Sequence, residues 1–202
     1  MNVRIVVFDG ADELDFIGPY EVFRRAGKRG KDVDVTLVTL LPQAEITAAN
    51  GLKVRCDGVL DEADLVVVSG GGWANRAAAG MRAEVAGGEL PRRLAQLHSR
   101  GAVVAGVCTG AMALAAAGLL HERPAITHHA AVEDLRATTA RVHSARVVDA
   151  GSVVTSGGVT ASIDLALWLV ERFWGKDTAD GIARDLEYTR TDEIYVHPGS
   201  QK

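Results

Sequence analysis

Residues 101–115 set narrow limits on the fold, because a short run of small apolar residues passes there directly into an alanine-rich segment. A short apolar run of this kind is typical of a fully buried strand in a parallel sheet. The segment that follows favours a helix, and Gly106 and Gly110 bracket a single cysteine, Cys108, at the junction. The sequence therefore predicts a strand-to-helix turn with a cysteine at its apex.

A cysteine at such a turn is a candidate nucleophile. The cramped backbone of a strand-to-helix turn pushes the side chain into the open. The N–H groups at the start of the helix favour a negative charge there. We therefore expect Cys108 to be accessible and to have a lowered thiol pKa. The alternative is a small cysteine packed inertly in the core.

Apolar runs alternate with helix-like segments along the rest of the chain. They lie at residues 3–8, 33–41, 64–68, 146–149 and 152–155. This alternation predicts an α/β fold, a parallel sheet with helices on both faces. No linker is visible in the sequence, so we predict one domain over residues 1–202, with a loose polar tail after about residue 191.

Three separate stretches converge on one edge of the predicted sheet. Asp15, the triple glycine at residues 70–72 and Cys108 each follow a predicted strand. Ligands bind at the carboxyl ends of the strands in such sheets, so these residues predict a site. Asp15 is either an acid in that site or a helix cap. The glycines either supply backbone N–H groups to an oxyanion hole or form a plain flexible turn.

Composition excludes several classes of function. A net charge of −4 argues against a nucleic-acid-binding surface. No apolar run approaches the roughly 20 residues that a membrane span needs. A strand begins almost at the first residue, so no signal peptide is expected. The chain holds two cysteines, too few for a disulfide framework, which predicts a reducing cytoplasm.

Taken together, the motifs resemble those of the PfpI/ThiJ superfamily. The similarity is collinear from residue 3 to about residue 188 and is carried by residues 14–23 (LDFIGPYEVF), 69–72 (SGGG), 107–110 (VCTG), 117–120 (AGLL), 126–128 (ITH) and 155–164 (TSGGVTASID). The resemblance implies a flavodoxin-like fold, a cysteine at a nucleophile elbow and a homodimer.

The branch within the superfamily is indicated by the residue after the cysteine. Protease-like and glyoxalase-like branches carry a histidine there, whereas this chain has Thr109. Together with the D-x-x-G-P-x-E-V-F pattern at residues 15–23, the C-T-G sequence resembles isocyanide hydratases and the sensor domains of AraC-type regulators. Those regulators carry a further helix-turn-helix region, which these residues do not include, so we expect the enzyme.

The resemblance implies a role for each residue of the site. Cys108 attacks the terminal carbon of an isocyanide, R–N≡C, and Asp15 supplies a proton. Thr109 offers its hydroxyl or its backbone N–H, and Gly71 or Gly72 offers a second N–H. Water then releases an N-substituted formamide. The substrate is a small molecule, and no metal or organic cofactor is implied.

His128 and the overall activity each leave alternatives open. His128 lies in the T-H motif, where it could act as a base or only make structural hydrogen bonds. Cys108 could instead serve a glyoxalase or deglycase that acts on small aldehydes. It could also be a redox sensor, since a thiolate is readily oxidised, or part of a small-molecule sensor that binds without turnover.

Overall fold

A computed structural model describes residues 1–198, in which twelve strands and seven helices are present. The strands are β1 (Asn2–Val6), β2 (Asp34–Thr39), β3 (Glu45–Thr47), β4 (Lys53–Arg55), β5 (Gly58–Val59), β6 (Leu65–Val68), β7 (Val103–Gly106), β8 (Pro124–Ala125), β9 (Arg141–Val142), β10 (Val147–Asp149), β11 (Val153–Ser156) and β12 (Ile194–Val196). The helices are α1 (Glu13–Lys28), α2 (Met81–Gly87), α3 (Glu89–Ser99), α4 (Gly110–Ala116), α5 (Val132–Arg136), α6 (Ala161–Trp174) and α7 (Lys176–Asp185). None of these helices combines the length and the apolar character needed to cross a membrane.

Eight strands form the central sheet, in the order β12-β10-β11-β7-β6-β1-β2-β5. Neighbouring strands run parallel except β10 and β11, which are antiparallel. The predicted α/β, flavodoxin-like fold is therefore confirmed, with this one pair as an exception to the parallel sheet. The exception follows from the short turn between the two strands, because a parallel pair needs a crossover of a dozen or more residues.

The core lies on both faces of the central strands. Every residue of β6 is fully buried, as its unbroken leucine and valine sequence predicts. Helix α1 packs against α6 and α7, while α2, α3 and α4 pack against one another as a second layer. Residues at the carboxyl ends of β1, β6, β7 and β11 consequently meet between these layers.

Two smaller features add to the picture of the central sheet: a separate strand pair, and the tail after residue 191. Outside the central sheet, β3 and β4 form a separate antiparallel pair. The loose tail after residue 191 is wrong for residues 194–196, which form β12 and pair in parallel with β10. The last part of that tail, residues 199–202, lies outside the described residues.

Candidate active site

The turn after β7 holds Cys108 in a strained backbone conformation. Its φ angle is 54°, in the left-handed region that non-glycine residues rarely adopt. The flanking glycines are required by close packing. A Cβ at Gly106 would lie 2.8 Å from the backbone nitrogen of Ala111, and one at Gly110 would overlap the carbonyl oxygen of Val68. The elbow predicted from the sequence is therefore present.

The cysteine is less accessible than its position on the turn predicts. Only 5% of the Cys108 residue is exposed, so the expected open side chain is wrong. Cys108 instead lines a pocket of about 240 Å³. The other residues around this pocket include Gly71, Gly72, Trp73, Thr109, His128 and Val159. A small ligand in this pocket lies next to the sulfur.

Asp15 approaches the cysteine from the first turn of α1. The cap of this helix is Asp12, whose side chain accepts a hydrogen bond from the N–H of Leu14, so Asp15 is not the cap. Asp15 is completely buried and lies close enough to the Cys108 thiol for each group to shift the pKa of the other. Its Oδ2 accepts a 2.9 Å hydrogen bond from the N–H of Gly70. Within the described residues, Oδ1 has no nitrogen or oxygen partner.

The acid and the thiol affect each other's ionisation. Burial, and then the charge of Asp12, raise the pKa of Asp15 from 3.8 to about 8. Burial, and then the charge of Asp15, raise the pKa of Cys108 from 9.0 to about 12. The lowered thiol pKa expected from the turn is therefore wrong. The effect of the Asp15 charge on the Cys108 pKa disappears whenever Asp15 is protonated. The two groups therefore titrate as a pair.

Two backbone N–H groups face the Cys108 sulfur. They belong to Thr109 and Val159, and each lowers the thiol pKa by hydrogen bonding to the charged form. Val159 has a φ of 41°, a strained value for a β-branched residue. Sequence reasoning did not assign Val159 to the site. The available signal was its place in the S-G-G-V sequence directly after β11, at the same edge of the sheet.

The triple glycine forms a packed turn and supports Thr109. The N–H of Gly71 donates a 2.9 Å hydrogen bond to the Thr109 hydroxyl oxygen. The φ angles of Gly71 and Gly72 are 118° and 66°, and a Cβ on either residue would overlap neighbouring backbone. The flexible-turn alternative is therefore wrong. Because the Thr109 hydroxyl accepts this bond, Gly71 positions Thr109 in the present structure.

His128 lines the same pocket in a defined tautomer. Its Nδ1 accepts a 3.2 Å hydrogen bond from the N–H of Ala130, so the neutral ring carries its hydrogen on Nε2. Burial, followed by the neighbouring His129, lowers the pKa of His128, which favours the neutral ring. In this state the free ring nitrogen is a donor and not a base.

The fold and the site together define a class: α/β proteins with a flavodoxin-like sheet and a buried cysteine on an elbow beside a buried acid. The sequence profile of the DJ-1/PfpI family matches residues 1–172. This chain therefore belongs to the DJ-1/PfpI family. The resemblance inferred from its motifs is confirmed.

The proteins that are similar to this chain carry names that describe different roles. The chain is 32% identical over 193 residues to isonitrile hydratase from Pseudomonas putida, a match that covers 93% of this chain and 78% of that protein. It is 28% identical over 191 residues to the Parkinson disease protein 7 homolog of Danio rerio, covering 90% and 94%. The crystal structure of an AraC family transcriptional regulator from Pseudomonas putida superposes with a TM-score of 0.79 at 22% identity, covering 92% and 98%. The last likeness shows the fold alone.

Proposed function

We propose that this protein adds water to an organic isocyanide and releases an N-substituted formamide, through a thioimidate on Cys108. The observation that carries the proposal is the completely buried carboxyl of Asp15 beside the Cys108 thiol. Since the pKa of that carboxyl is raised to about 8, a protonated acid stands beside the nucleophile at neutral pH. The similarity to isonitrile hydratase and the Thr109 after the cysteine support an isocyanide as the electrophile.

The first step forms a carbon–sulfur bond. In the reactive form of the pair, the Cys108 thiol has lost its proton to solvent while Asp15 keeps its own, and the N–H groups of Thr109 and Val159 stabilise the negative charge on the sulfur. The thiolate attacks the terminal carbon of R–N≡C, and the Asp15 carboxyl transfers its proton to that carbon. The products are R–N=CH–S–Cys108 and an ionised Asp15. The absence of a nitrogen or oxygen partner for Oδ1 within the described residues supports delivery of this proton to a ligand.

The second step hydrolyses the thioimidate. Water attacks the same carbon, and the Asp15 carboxylate accepts one proton from this water and passes it to the substrate nitrogen, which leaves Asp15 ionised again. The carbon–sulfur bond of the tetrahedral intermediate then breaks, and the remaining hydroxyl proton returns to Asp15. The products are R–NH–CHO, the Cys108 thiolate and the Asp15 acid, so atoms and charges balance. The Nε2–H of His128, on the wall of the same pocket, is a candidate donor to the developing charge.

The test is turnover by the purified protein. An aryl isocyanide is added without cofactor, and the formamide is followed by absorbance and identified by mass spectrometry, with Cys108→Ala as the control. Formamide production that depends on Cys108 supports the proposal. If several isocyanides give no such formamide while methylglyoxal is consumed, a glyoxalase takes its place. Ligand binding without turnover of either substrate would instead indicate a sensor.

Three expectations from the sequence accompany this proposal and have their own tests. We expect one folding domain, which a single cooperative unfolding transition would support. We expect a homodimer, which light scattering of the purified protein measures directly. We also expect the protein in the cytoplasm, which cell fractionation tests.

A further inference from the structure

A second pocket, of about 600 Å³, lies next to the cysteine pocket. We infer that it holds the substituent of the substrate whose reactive carbon binds at Cys108, and that this substituent is a neutral aryl or branched-alkyl group. The inference rests on the proposed function, because it assigns the group R of the isocyanide. The 3-10 turn His129–Ala131, the segment from β9 to β10 and the start of α6 surround this substituent pocket.

The substituent pocket shares a wall with the cysteine pocket. His128 and Val159 line both cavities. Gly158 directly precedes Val159 in the chain, and a Cβ at this glycine would overlap the His128 ring. The ring can lie there only because residue 158 has no side chain. The two cavities therefore adjoin at His128 and Val159, and the substituent of a ligand on the Cys108 sulfur would enter the larger cavity past these two residues.

The volumes of the two cavities suit two different parts of a substrate. Pockets that bury a drug-sized ligand hold roughly 300–1,000 Å³. The cysteine pocket, at about 240 Å³, falls below that range, whereas the substituent pocket, at about 600 Å³, lies within it. The smaller cavity is suited to the reactive head of a molecule, and the larger cavity to a bulky group attached to it.

Apolar side chains form part of the lining of the substituent pocket, beside polar and charged residues, and can cover a neutral substituent. Four half-buried apolar side chains face the cavity: Ile126, Val132, Val142 and Val159. Covering such surface is favourable, since apolar area removed from water is the main source of binding free energy in sites of this kind.

The charged groups at this pocket are already paired or exposed. Arg146 donates from Nε to the buried Asp164 at 2.6 Å, and Arg136 is paired with Glu133 at 2.5 Å. Glu193 lies exposed at the outer edge. A charged substituent would have to compete with these ion pairs, whereas a neutral one leaves them intact.

The first experiment narrows the substituent pocket with Ala145→Phe, at a half-buried position in its lining. Ala83→Phe is the matched control, because it adds the same bulk to a separate pocket of about 300 Å³. We measure kcat/KM for methyl isocyanide and for a naphthyl isocyanide. In Ala145→Phe the naphthyl-to-methyl ratio is expected to fall by about tenfold or more, since even one methylene group in an apolar pocket is worth about that much. An unchanged ratio, or the same fall in Ala83→Phe, overturns the inference.

A second experiment separates this inference from the proposed function. Chloroacetamide and an N-naphthyl chloroacetamide alkylate Cys108 without requiring any turnover. The ratio of their alkylation rates is expected to fall in Ala145→Phe and not in Ala83→Phe. If the ratio of alkylation rates falls although no isocyanide is hydrated, the assignment of the substituent pocket is supported and the proposed reaction is wrong. If it stays constant, the pocket assignment is wrong whatever the substrate.

Two further outcomes are distinguished by folding and assembly. If Ala145→Phe does not fold, Ser144→Phe, at an exposed position on the same pocket, replaces it. Light scattering compares the oligomeric state of each variant with that of the wild type. A change of oligomeric state with unchanged rate ratios would mean that a second copy of the chain covers the pocket, and it would overturn the inference.

Discussion

The backbone N–H of Gly70 donates a 2.9 Å hydrogen bond to Oδ2 of Asp15, which lies 55 residues earlier in the chain. Asp15 lies so close to Gly70 that no space is left for a side chain at residue 70. A Cβ there would lie 2.8 Å from the same oxygen and 2.6 Å from the backbone nitrogen of Thr109. A side chain at residue 70 would therefore displace the acid or the loop that carries the cysteine.

We predict that Gly70→Ala destabilises the protein and impairs the site. The added methyl group must displace backbone and a buried carboxyl, and overpacking of this kind costs about 1–3 kcal/mol. Gly87→Ala is the matched control, because a Cβ there meets nothing within 4 Å. Denaturant unfolding and isocyanide turnover measure the two effects. Equal stability of the two variants would contradict the packing seen around Gly70.

We predict that Asp15→Asn preserves the fold and lowers turnover by roughly a hundredfold or more, the range expected for loss of a general acid. An amide has nearly the same shape, and its oxygen can still accept the hydrogen bond from Gly70, but it cannot transfer a proton to the substrate. Circular dichroism and kcat measure fold and rate. Wild-type turnover by a folded Asp15→Asn variant would exclude Asp15 as the acid.

The raised pKa of Asp15 also predicts a dependence of stability on pH. The carboxyl has a pKa of 3.8 in an unfolded chain and about 8 in the folded protein, so the folded state holds the proton more tightly. This contribution to stability is complete below about pH 4 and is lost as the pH rises to about 8.

The free energy of unfolding of the wild type, relative to that of Asp15→Asn, is therefore expected to fall between those two pH values. Urea titrations of both proteins across the range measure it, and the asparagine variant corrects for all other titrating groups. Parallel curves for the two proteins would show that the Asp15 carboxyl ionises normally in the folded state.

We predict that Thr109→Val destabilises the loop that carries the cysteine, whereas Thr109→Ser does not. The Thr109 hydroxyl accepts a 2.9 Å hydrogen bond from the N–H of Gly71, and valine has the same shape without that acceptor. Leaving a buried N–H without a partner costs about 1–3 kcal/mol. Thermal unfolding of the two variants measures the difference. Equal losses in both would indicate that the methyl group of Thr109, and not its hydroxyl, stabilises the turn.

Much of the fold and part of the site followed from local patterns. The alternation of apolar runs with helical segments predicts the α/β layers, and glycines on both sides of Cys108 predict the elbow that its φ of 54° confirms. These features depend on a few adjacent residues, so they can be inferred without knowing what packs against them. The motifs likewise identified the family. Each is a short stretch that can be read from the sequence alone, and they follow one another in the same order as in the family.

The tertiary structure alone decided how the site is completed and charged. The N–H of Val159 reaches the sulfur from a loop about fifty residues away, after β11 has taken its place beside β7. Burial of Asp15 and Cys108 raises both pKa values, against the expectation from the turn. Burial and through-space charge depend on which distant segments exclude water, and a local sequence pattern does not contain that information. The sequence by itself therefore determined where the nucleophile is, and the assembled sheet decided how readily it ionises.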